Sequence, residues 1–121
     1  MPDNDQIVTD FCNAWTNGDA EAIIDAFTED AFYHNVPMDP LVGKEAIAPF
    51  IRAFLGGEGS VIFETHHQVC TGDIVMNERT DHITRDGTTT SLPLMGIFHL
   101  VDGKVAIWKD YFDMGMFQGG A

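Results

Sequence analysis

The chain has 121 residues, 45% of them hydrophobic and 21% charged, which suits one folded domain with a real core and is too short for two. Its 19 acidic against 6 basic residues give a formal charge of -13, a field that repels phosphate and makes nucleic acid and anionic membranes poor partners. An uncharged or cationic small molecule suits it better. Cys12 and Cys70 show no paired spacing and read as free thiols packed as small hydrophobes in a reducing compartment. The acidic start Met-Pro-Asp-Asn-Asp is no secretory leader, and the apolar runs are too short to span a bilayer, so a soluble cytoplasmic protein is expected.

Ile7, Val8, Phe11, Cys12, Ala14 and Trp15 recur at helical spacing behind an Asp/Asn run that can cap them, and Gly18 closes this first helix. Asp19 can cap a second helix with Ala22, Ile23, Ala26 and Phe27 on its buried side. The aromatic residues here, Phe11 and Trp15, are most simply core. Ala31 to Val36 is a short β-like run ended by Pro37, and a proline-restricted loop follows to Gly43. Ile47, Phe50, Ile51, Phe54 and Leu55 mark a third helix, ended by Gly56 and Gly57 and either kinked at Pro49 or begun just before it.

From Ser60 onward the pattern is that of strands. Val61 to Cys70 turns at Thr71-Gly72-Asp73, the next strand turns at Asp86-Gly87, and Thr88 to Val101 meets Lys104 to Phe112 through Asp102-Gly103. A Gly-rich tail, expected to fray, follows. Helices gather in the first half and antiparallel strands in the second, which argues an α+β domain over 1–121: one curved sheet with helices on one face.

Period-two alternation places Val75, Asn77, Arg79, Asp81 and Ile83 on one face of their strand. A guanidinium and a carboxylate set among apolar residues are costly unless they pair with each other and with a further partner. On the last strand Ala106, Trp108, Asp110 and Phe112 share a face, so Asp110 is a candidate for that partner. Paired with Lys109 instead, it would be an ordinary carboxylate at a strand end. Two carboxylates on one arginine cannot both keep ordinary acidities; one ionised neighbour keeps the other protonated, which sets a base beside an acid. Tyr33 and Asn35 form another same-face polar pair and, with Asp110, can hold one water.

Tyr33-His34-Asn35, Arg79-Thr80-Asp81 and Trp108 to Asp113, in that order, resemble the three motifs of limonene-1,2-epoxide hydrolases, as does Leu94 to Leu100 with Gly103-Lys104. The resemblance runs from the first helix to about Asp113. It implies a cystatin-like, nuclear-transport-factor-like (SnoaL-like) cone with a mixed or antiparallel sheet, in a homodimer. It also implies one-step hydration of an apolar epoxide to a vicinal diol with no covalent intermediate. In that scheme Asp110 is the general base, Tyr33 and Asn35 hold the water, Asp81 is the general acid, and Arg79 bridges the two. No metal or organic cofactor is implied, because ring strain supplies much of the driving force. Ile83, Leu94, Trp108, Phe112 and their neighbours on the Leu92 to Phe98 strand are candidate substrate-binding walls, with plain core as their simpler reading. The termini are shorter than those that close the pocket in that family.

Ketosteroid isomerases and polyketide cyclases on the same cone use an aspartate for proton transfer at carbon, with Tyr33 then polarising a ketone. Such chemistry leaves an arginine between two aspartates without a task. A non-catalytic cone binding an apolar ligand is a third reading. For metal, His66 and His67 are expected on opposite faces of a strand, and His34, His82 and His99 have no zinc spacing. His34 is expected to face away from Tyr33 and Asn35. No Gly-x-Ser-x-Gly supports a serine hydrolase.

Overall fold

The computed structural model describes residues 3–118, and side chains through residue 116. The first helix, α1, spans Asn4–Thr16; the Asp3 carboxylate accepts from the Gln6 N–H at its start, and Gly18, at φ +69°, follows its end. α2, Ala20–Asp25, is capped by Asp19. It is shorter than the sequence suggests. Ile23 and Ile24 are its buried residues, Ala22 is exposed, and Phe27 belongs to the next strand.

That strand, β1, spans Phe27–Asn35 and so begins four residues before Ala31. The Thr28-Glu29-Asp30 stretch is mostly exposed and reads as a turn, yet it extends the strand. Within the expected loop a two-residue strand, β2 (Leu41–Val42), pairs antiparallel with β1. α3, Lys44–Gly56, runs through Pro49, which sits on its exposed side, so the Glu45 carbonyl that loses its helical partner can be met by water.

Four long strands follow: β3 (Ser60–Thr71), β4 (Ile74–Arg85), β5 (Thr88–Val101) and β6 (Lys104–Tyr111). Asp86 and Gly87, and again Asp102 and Gly103, have positive φ at both central positions, the signature of the tight primed turns that match strand twist. Phe112 lies just past β6. A short helix, α4 (Met114–Gln118), occupies the start of the tail expected to fray; residues 119–121 lie outside those described.

The six strands form one curved, unclosed mixed sheet in the order β2-β1-β6-β5-β4-β3, antiparallel throughout except for the parallel pair β1·β6. The helices cover one face. Val8, Phe11, Cys12 and Trp15 from α1, with Ile23, Ile24, Ile47 and Ile51, bury against Phe27, Val75, Phe98, Val105 and Trp108. Each such large side chain contributes about 1.5–3 kcal/mol on burial. Trp108 is the hub, stacked on Tyr33 at 4.4 Å and on Phe98 at 5.4 Å between ring centroids, with the Phe11 edge at 5.0 Å.

Besides a register shift between Phe27 and Phe32 on β1, two irregularities change which residues face inward. A register shift between His99 and Leu100 sets both Val105 and Trp108 inside, where strict period two would separate them. In β3 a bulge lies between Thr65 and His67. His66 bonds Thr80 and His67 bonds Glu78, two residues on the outer face of β4, so both imidazoles point outward rather than to opposite faces. Among the described residues no cluster of His, Cys, Asp and Glu could hold a metal ion, and no helix is long and apolar enough to cross a membrane.

Candidate active site

β4 carries Asn77, Arg79 and Asp81 on its inner face; all are buried, and Arg79 has no exposed surface at all. The sheet register brings β6 into reach across β5: Gly96 pairs with Asn77 on one side and with Asp110 on the other. Arg79 Nε and Nη2 donate to the Asp81 carboxylate at 3.1 Å each, and Nη2 also donates to Asp110 Oδ2 at 2.8 Å. Nη1 donates to Asn77 Oδ1 at 3.0 Å and, at a longer 3.4 Å, to Asp110 Oδ1. The guanidinium lies over the Phe63 ring at 4.5 Å, which closes its remaining face with a π-system.

Gly96 has to be bare. A Cβ built there falls 2.6 Å from Asp110 Oδ1 and 2.7 Å from Arg79 Nη1, inside the space the ion pair occupies. Asp110 takes one further bond, 2.7 Å from the indole N–H of Trp108 two residues before it, and Lys109 points away over Phe32. The parallel pairing sets Tyr33 beside Trp108 and Asn35 beside Asp110, and Asn35 Nδ2 donates to the Tyr33 hydroxyl at 3.1 Å. His34 faces away, its ring bonded to the Met38 carbonyl.

Electrostatics separate the two aspartates. Burial pushes the Asp81 carboxyl up to about 6, against the pull of Arg79 and with a further push from Asp110. Burial, reinforced by Asp110, also raises Tyr33 well above an ordinary phenol, so it remains a hydroxyl. Burial works against the Arg79 charge, but Asp110 and Asp81 outweigh it and keep the guanidinium protonated.

Tyr33, Asn35, Asp81 and Asp110 open on one cavity of about 220 Å³ whose other walls are apolar. Of the wall candidates, Ile83, Leu94 and Phe112 line it, and Leu92 joins them; Trp108 is not among the lining residues and stands beneath, holding Asp110. Trp15, Phe50, Phe54, Val61, Phe63 and Met38 complete the wall and were not singled out by the sequence. Phe50 and Phe54 stack at 5.9 Å, one helical turn apart, and that spacing was the available signal; Trp15 reads as core because a buried cavity wall and a core have the same periodicity. A neighbouring cleft of about 240 Å³ shares Trp15, Phe54 and Val61 but has Arg85 as its charged residue and no carboxylate. General acid-base chemistry on an apolar molecule fits the first cavity: a carboxylate pair in a mostly apolar wall, with a hydroxyl and an amide beside it.

Comparison with known proteins gives the same direction. A family model described as a SnoaL-like domain matches residues 8–108. Epoxide hydrolase EphG of Mycobacterium tuberculosis (strain ATCC 25618 / H37Rv) is 31% identical over 110 residues, 90% of this chain and 73% of that protein. The structure of an M. tuberculosis LEH-like epoxide hydrolase superposes with a TM-score of 0.87 at 29% identity, over 96% of this chain and 87% of that one. The epoxide hydrolase/cyclase-like enzyme SalBIII of salinomycin pyran ring formation shares the fold with a TM-score of 0.83 at 23% identity, over 92% and 91% of the two chains. With its α+β cone and a matched region covering most of its length, the chain belongs to the SnoaL-like domain family and is a relative of the epoxide hydrolase EphG.

Proposed function

We propose that the protein is an epoxide hydrolase that adds water to a small apolar epoxide in one step. The observation that carries this reading is the Asp81–Arg79–Asp110 bridge opening on an apolar cavity beside the Tyr33–Asn35 pair. Asp110 takes a proton from a water held also by Tyr33 and Asn35. The water oxygen forms a bond to one oxirane carbon as that carbon's bond to the ring oxygen breaks. Asp81 delivers its proton to the departing oxygen, giving a vicinal diol. The proton left on Asp110 returns to Asp81 before the next turnover, and Arg79 remains a cation throughout. Asp81 suits the acid because burial already favours its protonated form, whereas Asp110 is held by an arginine and an indole N–H. A cavity of about 220 Å³ is below the range of roughly 300–1,000 Å³ typical of drug-sized ligands, so the substrate is a compact ring or terpene-like epoxide.

The reading includes a homodimer. The uncovered sheet face carries two apolar rows set by register, Val69–Met76–Ile97 and Met95–Tyr111, in which all but the half-buried Ile97 are exposed. A second copy covering that face would bury these residues as a pair of identical patches.

Diol formation from a panel of cyclic and terpene epoxides is the primary test. The parent should form diol, and folded Asp110→Asn and Asp81→Asn variants should each lose on the order of a hundredfold or more in rate. Diol from Asp110→Asn at the parent rate would overturn the assignment, and no diol from a folded parent would favour the isomerase or cyclase chemistry of the same cone. The pH profile gives a second expectation. Asp81 must be protonated to act, so kcat/KM should fall as pH rises through about 6. Because its folded pKa lies above the unfolded value of about 3.9, the native state binds the extra proton between the two. Stability should therefore also decline as pH rises through that window, measured by urea unfolding. Gly96→Ala should retain the fold, lose about 1–3 kcal/mol by overpacking and lose rate tenfold or more as Asp110 and Arg79 separate, an outcome read from denaturation and turnover together. Sedimentation should give a dimer for the parent and a monomer for Met76→Lys/Met95→Glu.

A further inference from the structure

Behind Arg79, away from the cavity, a chain of hydrogen bonds runs to the first helix. Asn77 Oδ1 accepts from Arg79 Nη1; Asn77 Nδ2 donates to Gln68 Oε1 at 3.1 Å; Gln68 Nε2 donates to the Asp5 carboxylate at 2.8 Å and to Thr9 Oγ1 at 3.1 Å. Asn77 is 1% exposed, Gln68 half-buried, and Asp5 and Thr9 stand on the surface. None of the four lines the substrate cavity; the outer end opens on a separate polar cleft between α1 and β3.

The polarity of this chain admits one arrangement. A carboxylate only accepts and a guanidinium only donates. Asp5 therefore draws the NH₂ of Gln68 toward α1, which turns the Gln68 oxygen to Asn77, draws out the Asn77 NH₂, and leaves the Asn77 oxygen for Arg79. Two amide dipoles are thereby aligned with their negative ends toward the buried cation. The β3 bulge makes this possible: with both His66 and His67 outward, Gln68 returns to the inner face opposite Asn77, where uninterrupted alternation would have put His67.

We infer that Asn77 and Gln68 are positioning residues of the acid-base site, a polarity-locked amide relay anchored by Asp5 and Thr9 that fixes how the Arg79 plane is shared between Asp81 and Asp110. Arg79 has five N–H donors. Asp81 takes two of them in a fork, while Asp110 has one short bond from Nη2 and one long contact from Nη1, whose short bond goes to Asn77. Once Asn77 lets go, the nearest remaining acceptor for Nη1 is Asp110 Oδ1. The guanidinium then rolls toward Asp110 and pairs with it two-fold, occupying both of its oxygens, while its fork on Asp81 loosens.

The test uses Gln68→Leu and Asn77→Leu in the full-length protein, with Asp5→Ala at an exposed position as the variant that leaves the interior untouched. The inference rests on the epoxide hydrolase reading for its kinetic arm alone; hydrogen exchange of the Arg79 Nε–H, followed by NMR, reads the relay without substrate. Gln68→Leu should speed that exchange at least tenfold. It should lower kcat about tenfold with KM within twofold, because the relay does not touch the cavity, and move the high-pH limb of kcat/KM upward as Arg79 leaves Asp81. Asp5→Ala should move the same quantities in the same direction by a smaller factor. The double variant Asn77→Leu/Gln68→Leu should be no slower than Asn77→Leu, the non-additivity expected of residues acting through one another. Exchange and kcat both within twofold of the parent in folded Gln68→Leu would overturn the inference. So would faster exchange with unchanged kcat and limb, since the relay would then hold the arginine without arranging the chemistry. Should the parent form no diol, the epoxide reading fails on that result and the exchange rates decide the relay.

Discussion

A positive charge with no contact with water sits on the inner face of β4, and the arrangement around it follows from that cost. Removing an arginine from solvent costs several kcal/mol even after relaxation. Asp81 and Asp110 supply the compensating charge, Asn77 a neutral acceptor, and Phe63 an aromatic face. If both carboxylates were ionised the trio would carry a net negative charge in a mostly apolar wall. A proton on one of them removes that excess. Burial of its own carboxyl raises the Asp81 pKa to about 6, with Asp110 adding to the rise and Arg79 opposing it. Buried ion triads can often be replaced by apolar residues without loss of stability, whereas removal of one partner alone leaves an uncompensated buried charge.

The aromatic cluster gives this charge set its rigidity. Trp108 packs between Tyr33 and Phe98 and gives its one polar hydrogen to Asp110, so the ring that fills the core also aims the carboxylate. Tyr33 in turn is fixed by Trp108 on its face and by Asn35 at its hydroxyl. The groups proposed to hold the attacking water therefore stand on strands and against packed rings, not on loops, which is where sub-ångström placement is sustained.

Much of this was legible in the chain because strands have a period of two and polar residues on an apolar face are conspicuous. Val75, Asn77, Arg79 and Asp81 are buried between more exposed neighbours, as are Tyr33, Trp108 and Asp110, while Ile83 and Asn35 are half-buried and line the cavity. Three things were hidden for definite reasons. The bulge at His66–His67 leaves no composition signal, so alternation continued past it assigns the wrong faces to Gln68 and its successors on β3. Trp15 and Phe54 wall a cavity, and a wall facing empty space has the same hydrophobic pattern as one facing a side chain. The extra length of β1 begins at Phe27, whose partner Val105 is distant in sequence, and crosses a register break through the polar Thr28 to Asp30, so no local pattern marks it.

The place of β6 has a consequence in time. It lies between β1 and β5, and its pairing with β1 is the one parallel contact in the sheet. A nascent chain that has left the ribosome only as far as β5 has α1 to α3, the β3–β4 and β4–β5 hairpins and Arg79, but no Asp110 and no Trp108. Without β6, β1 lacks its long neighbour, and Arg79 keeps its fork on Asp81 but has neither Asp110 nor the Trp108 ring beside it. The last of the described strands in chain order thus supplies the second carboxylate, Asp110, and the indole that aims it. Until β6 pairs with both β1 and β5 no strand joins the two parts of the sheet, so the joined sheet and the charge set are completed by the same strand.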